Sequence, residues 1–290
     1  MLPKITVITP SFNQGKYLED TINSVLYQSY PNLEYILMDA GSTDESLDII
    51  KKYERHLAYW VSEPDEGQAD AINKGFARAT GDIICWLNSD DYYLPGTLKF
   101  VAENLANKDD SILCGNCVHI VEGKSRAYPS KVHSTLNKLD IKYCDTIVQP
   151  SSFWPRVLWE NIGKLDISMH YAFDWEWYIR AQIAGAKFIP TAKNLSVYRI
   201  HEEHKTGTGG EKRLLEIKRI IERYHGEATG DAFWAIHEKI DEIRNMRKRL
   251  QRWGLDRAEG KILKAMVPQA KHLSWFEIVQ LSYMAKEIVV

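Results

Sequence analysis

The chain has 290 residues, with 37 Lys or Arg against 39 Asp or Glu, a formal net charge of −2 and 44% hydrophobic residues. Disordered and collagen-like architectures are excluded by that composition, and the near-zero net charge removes the usual argument for nucleic acid as a partner, which would want a strongly basic domain. The length suits one large α/β domain with an appendage, or two smaller domains.

Residues 4–9 (KITVIT) read as a buried strand, followed by a turn and a helical face carrying Leu18, Ile22, Val25 and Leu26. The pattern repeats with a strand at 33–39, a polar loop, and a helix whose start carries Ser42 and Glu45 at capping-box spacing. A third strand at 58–62 precedes another loop and helix, and a fourth at 82–87 runs straight into Asn88, Ser89, Asp90 and Asp91. Alternating strands and helices predict an α/β fold, a mainly parallel twisted sheet with helices on both faces. Ligands of such sheets sit outside the carboxyl ends of the strands, so the loops 10–16, 39–44 and 88–91 are expected on one rim.

After residue 110 the rhythm changes to a strand at 111–120, a loop-rich stretch, a helix around 172–185 and a strand near 187–191. From Glu211 the chain reads as helical, with Leu214, Ile217, Ile221 and Tyr224 in one stripe. Phe233, Ile236, Ile240, Ile243 and Leu250 form a second stripe that Arg247 interrupts, and Gly254 is the expected stop. The expected division is a domain over 1–210, in halves 1–108 and 109–210, with a helical extension over 211–290.

Four cysteines, Cys85, Cys114, Cys117 and Cys144, are too few and too irregularly spaced for a disulfide framework, which favours a reducing compartment. Residues 1–16 lack the pattern of a signal peptide, and no apolar run approaches the roughly 20 residues of a membrane span. Cytoplasmic localisation is expected. Cys114 and Cys117 form a CxxC inside an apparent strand without a second pair, which reads as packing. His201-Glu202-Glu203-His204 has the wrong spacing for a zinc helix, and neither a GxGxxG nor a P-loop is present.

Asn88, Ser89 and Asp90 at a strand end supply the hard oxygen ligands that a divalent cation bridging phosphates requires, although the same residue types also make turns. They follow Thr9-Pro10-Ser11-Phe12-Asn13, Asp39-Ala40-Gly41-Ser42-Thr43-Asp44 and the stretch 65–75 (DEGQADAINKG). Four motifs in this order resemble the family 2 inverting glycosyltransferases of the A-type fold, and the resemblance covers residues 1 to about 205. It implies that 1–108 binds a nucleotide-sugar and 109–210 the acceptor. Thr9, Pro10 and Ser11 are then expected to wrap the nucleoside, and Asp39 to hold the base. A carboxylate there accepts the N3 hydrogen of uracil, which favours a UDP-sugar. Gln68 and Asp70 flank the nucleotide, and Asn73 and Gly75 shape the helix. Asn88 and Ser89 complete the nucleotide contacts, with Asn88 departing from the usual Asp of the Asp-x-Asp motif.

The resemblance further implies a divalent cation, Mn²⁺ or Mg²⁺, on Asp90, with His201 as a second ligand or a structural histidine. Asp174 in the segment 171–180 (YAFDWEWYIR) matches the base that deprotonates the acceptor, against a plain helix N-cap, with Glu176 as fallback. Asp91, Trp154, Trp175 and Trp177 are expected on the acceptor side, the tryptophans as stacking platforms or as core. Residues 205–210 (KTGTGG) are flexible enough for a lid. The expected activity is sugar transfer to a glycan or lipid-linked hydroxyl. The competing reading is a catalytically silent glycan-binding or scaffolding relative, motivated by Asn88 and the aromatic content. Residues 244–272 hold nine Lys or Arg against two acidic residues, a local +7. Such a segment suits peripheral contact with the inner face of a membrane, or a basic face on packing or dimerising C-terminal helices.

Overall fold

The computed structural model describes residues 2–124, 127–253 and 258–285. Among these, nine strands form one sheet: β1 (Ile5–Ser11), β2 (Leu33–Asp39), β3 (Tyr59–Ser62), β4 (Ile83–Trp86), β5 (Tyr92–Tyr93), β6 (Ser111–Val121), β7 (Ala127–Pro129), β8 (Ser152–Pro155) and β9 (Lys187–Ile200). The strand order is β3-β2-β1-β4-β8-β6-β9-β5, with β7 paired to β6. The first four strands in this order are parallel, β8 runs antiparallel to both β4 and β6, and β6 and β9 are parallel.

Period-two alternation assigns the two sheet faces. Ile5, Val7, Tyr35 and Leu37 pack with Leu18, Ile22 and Val25 of the helix Gly15–Leu26 and with Leu98 and Val101 of the helix Thr97–Leu105. Ile8 and Met38 face the opposite way, onto Gly75 of the helix Gln68–Phe76. A Cβ at Gly75 would stand 2.7 Å from Ile8 Cγ2, so the missing side chain lets this helix lie close to the sheet.

One buried carboxylate pins the far end of β1 to β2. Glu34 accepts from Lys4 Nζ at 2.7 Å, Thr6 Oγ1 at 2.6 Å and the Thr80 backbone N–H at 2.7 Å. Burial pushes its pKa up, but these donors outweigh burial and hold it at about 2. The stability it contributes is therefore fully present above the ordinary carboxylate range and drains away as pH falls toward 2. In acid titrations of the melting temperature, Glu34→Gln is expected to be less stable than wild type at neutral pH by about 2 kcal/mol and to show a flatter loss below pH 5.

The described chain separates into two compact units, one of residues 1–137 and 147–201, the other of 138–146 and 202–290. The whole sheet lies in the first. The second is helical, with Gly210–His225, Glu227–Glu238, Ile240–Trp253, Glu259–Met266 and Trp275–Met284. Leu214, Ile217 and Ile221 are buried as the first stripe requires, and Tyr224 is half-buried. The second stripe is divided between two helices that break at Lys239, and Arg247 turns to Glu259, with Nε 2.6 Å from its carboxylate. Gly254, Asp256 and Arg257 lie outside the described residues. The segment expected as a flexible lid is helical over Lys205–Thr208, because Gly207 and Thr208 donate their backbone N–H groups to the His204 carbonyl. Among the described residues no helix is long and apolar enough to cross a membrane. All four cysteines are buried, as packing residues would be.

Candidate active site

The parallel strands end in register. Ser11 lies opposite Asp39, Asp39 opposite Ser62, and the Leu87 N–H donates to the Ile8 carbonyl at 2.8 Å, just before Asn88. The loops after β1, β2 and β4 therefore share one rim. Asn13, in a left-handed conformation (φ 51°), locks the first two together: its N–H donates to Ser42 Oγ at 2.8 Å, and its Oδ1 accepts from the Thr43 N–H at 2.9 Å. The Gly15 N–H adds a bond to Asp44 Oδ2 at 2.8 Å.

Ser42 does not cap the following helix, which begins at Ser46 with no side-chain cap. Its hydroxyl donates instead to Asp39 Oδ1 at 2.5 Å, while Asp39 Oδ2 accepts from the Gly41 and Ser42 N–H groups and from Ser62 Oγ. Asp39 is 2% exposed and braces the rim loop. Thr9 is likewise buried, its hydroxyl 3.0 Å from Tyr35 OH, and Pro10 continues β1. Ser11 differs: its buried Oγ has no hydrogen-bond partner among the described residues, at the strand end where a ligand belongs.

The loop after β4 is held from three sides. Gln68 Nε2 donates to Asn88 Oδ1 at 2.7 Å, His201 Nε2 lies 3.1 Å from Asp90 Oδ2, and Thr21 Oγ1 lies within 2.8 Å of the Ser89 and Asp91 carbonyls. His201 stacks obliquely on Tyr17, with centroids 4.5 Å apart, and is almost fully buried, whereas Asp90 retains 20% exposure. Asp70 stays beside its own helix start, paired with Lys74 Nζ at 2.9 Å. Asn73, expected to shape its own helix, clips the 163–165 loop through both backbone groups of Leu165.

Asp91 is not available to an acceptor. It is 1% exposed, its Oδ1 accepts from the Arg199 N–H at 3.0 Å, and its Oδ2 is buried without a partner among the described residues. Burial and the neighbouring Asp90 push its carboxyl well above the usual range, so Asp91 supports the loop as a carboxyl that resists ionisation.

The helix Phe173–Ile183 is buried on nearly every side. Phe173 packs on Trp86, with ring centroids 6.3 Å apart, and this brings Asp174 in the first helical turn beside the end of β4. Asp174 Oδ1 accepts from the Trp175 N–H at 2.8 Å. Glu176, the fallback base, is 2% exposed and ion-paired with Arg180 Nε at 2.9 Å, while Arg180 also holds the Ile162 and Lys164 carbonyls. Its role is structural: Glu176→Gln is expected to lower stability by about 2–3 kcal/mol in urea unfolding while leaving turnover within a few-fold.

The stacking platform expected of Trp154, Trp175 and Trp177 does not hold. All three are at most 1% exposed, and Trp154 lies 4.6 Å from Trp177 and 5.5 Å from Trp86 in a continuous aromatic core. A ring buried in the core offers no face to a sugar. Gln149, in the stretch 149–154 that leads to Trp154, is buried. Its Nε2 donates to the Trp86 carbonyl at 2.9 Å, and its buried Oε1 has no partner among the described residues.

No three His, Cys, Asp or Glu side chains among the described residues converge as metal ligands. Asp90 and His201 form a pair, which fits a cation that completes its shell with phosphate oxygens and water, not a cage built by protein alone.

Residues 6–157 match the family model for glycosyl transferase family 2. The chain belongs to this family. An uncharacterized glycosyltransferase of Rickettsia typhi is 27% identical over 224 residues, 71% of this family 2 chain and 67% of the relative. Among solved structures, residues 1–349 of Staphylococcus aureus TarS in complex with UDP-GlcNAc superpose with a TM-score of 0.65 at 19% identity, covering 97% of this chain and 91% of that one. The longer TarS chain is matched over 55% of its length. The mannosyltransferase PcManGT of Pyrobaculum calidifontis, in complex with GDP-Man and Mn²⁺, has a TM-score of 0.63 at 18% identity, covering 98% of this chain and 87% of that one. Both structures support the family 2 chain's A-type fold.

Proposed function

We propose that this family 2 glycosyltransferase moves a sugar from a UDP-sugar to a hydroxyl of a glycan or lipid-linked acceptor, with inversion and with a divalent cation. The observation that carries the reading is the shared rim. There Ser11, the Asp39 loop and the Gln68-clipped Asn88-Ser89-Asp90 turn meet beside a helix that opens with Asp174.

Asp90 and His201 would hold Mn²⁺ or Mg²⁺ against the diphosphate; when bound, the cation offsets the charge that grows on the departing nucleotide. The remaining work falls to the chain itself. The unpartnered Ser11 hydroxyl is placed to bond the nucleoside, and Gln68 keeps the Asn88 amide turned to the loop. Asp39 has a base to meet once one of its hydroxyl donors, Ser42 or Ser62, turns away, since a carboxylate offers about four acceptor positions and four are in use. Asp174 takes the proton of the acceptor hydroxyl as its oxygen attacks the anomeric carbon opposite the leaving diphosphate. The first turn of a helix favours the negative charge this base carries.

Thermal-shift titrations with UDP, GDP, dTDP and CMP, each with and without Mn²⁺, test the donor. Stabilisation by UDP that increases with Mn²⁺ is expected. Stabilisation by GDP alone overturns the role of Asp39, and no response to any nucleotide overturns the whole reading.

A further inference from the structure

The helix Trp275–Met284 of the second unit reads WFEIVQLSYM, with Glu277 its one charged residue. Ile278, Leu281 and Met284 are buried. Trp275, Phe276 and Tyr283 are 47%, 41% and 51% exposed, and Val279 is half-buried between them. Phe276, Val279 and Tyr283 are spaced three and four residues apart, so they form one outward stripe. A helix that is apolar around its whole circumference is normally covered on all sides, and this one is covered on the inner side.

Lysines border the stripe, and the acidic residues beside it are engaged in contacts of their own. Trp275 lies across Gly260, where an added Cβ would stand 2.8 Å from the ring Cγ, which brings the helix Glu259–Met266 alongside. Lys261 on that helix is exposed, Lys264 one turn beyond Gly260 is half-exposed, and Lys271 ahead of the aromatic helix is exposed. Among the described residues none of the three pairs with a carboxylate. The acidic neighbours are committed elsewhere: Glu259 to Arg247 Nε at 2.6 Å, and Glu277 to Tyr143 OH at 2.5 Å and the Ser274 N–H at 2.6 Å.

We propose that this face, with Trp275, Phe276 and Tyr283 bordered by Lys261, Lys264 and Lys271, docks on an anionic membrane surface. Aromatic rings sit at head-group level and lysines reach lipid phosphates, a pairing that an apolar, lysine-bordered face satisfies from one side. A second copy of the chain is a poorer occupant, because two-fold pairing sets the same three lysines against each other. The contact centres on the last described helix, with only its lysines drawn from the basic segment 244–272, and it is independent of the transferase reading.

Co-sedimentation of the full chain with vesicles of phosphatidylcholine, or of phosphatidylcholine with one-third phosphatidylglycerol, tests the proposal. Binding to the anionic vesicles alone, weakened by salt, is expected. The variant K261E/K264E/K271E should lower the partition coefficient about a hundredfold, and W275S/F276S/Y283S at least about tenfold, both with wild-type circular dichroism. Should the aromatic variant fail to fold, the lysine variant, altered only at solvent-facing positions, decides. Absence of binding to anionic vesicles, binding unchanged in the lysine variant, or a dimer by light scattering that the aromatic variant splits into monomers overturns it.

Discussion

Asp174→Asn is expected to lower turnover of a UDP-sugar by about 10³-fold, the scale of a positioned general base, while UDP affinity stays within about two-fold. The amide oxygen can still accept the Trp175 N–H that Asp174 accepts now, so that bond at the helix start is kept while the carboxylate base is lost. The contrast with Glu176→Gln separates the two carboxylates: one variant loses rate at unchanged stability, the other loses stability at nearly unchanged rate. Stopped turnover together with lost UDP binding in Asp174→Asn would move this residue from the base position into the binding site.

Asp90→Asn is the second large effect. Its carboxylate is the partly exposed one of an adjacent acidic pair, and the other, Asp91, is buried behind it on the Arg199 backbone. Asp91 cannot take over, so the variant should lose the strengthening of UDP binding by Mn²⁺ and about 10²–10³-fold in kcat/KM. His201→Ala, which removes the imidazole of the pair, should weaken Mn²⁺ coupling less and leave metal-free UDP binding intact. Calorimetric titration of UDP with and without Mn²⁺ measures both, and equal Mn²⁺ coupling in wild type and Asp90→Asn would move the cation elsewhere.

Much of the first four strands was legible because alternation and chain order suffice for it: Leu33–Asp39 is the strand expected, and the three loops do share a rim. Features that depend on distant partners were hidden. Ser42 stands at capping distance from Glu45, but its hydroxyl donates to Asp39 and its oxygen accepts from the Asn13 N–H of another loop. Trp154, Trp175 and Trp177 carry no mark of whether they are buried, and the ring contacts of Trp154 and Trp177 come from positions 18 to 68 residues apart. A strand was expected near 187–191. It runs to Ile200 because β6 absorbs the irregularity by register shifts around Asn116, and that added length delivers His201 to Asp90. Thr21 was readable in principle, as a hydroxyl within the apolar stripe of Leu18, Ile22 and Val25. Its partners, the Ser89 and Asp91 carbonyls, were not.

The most direct test of the account is the configuration of the sugar released when the full chain hydrolyses an α-linked UDP-sugar in the presence of Mn²⁺, read by proton NMR before the anomers equilibrate. Direct displacement with Asp174 as base predicts the β-anomer first, and a first-formed α-anomer would contradict it.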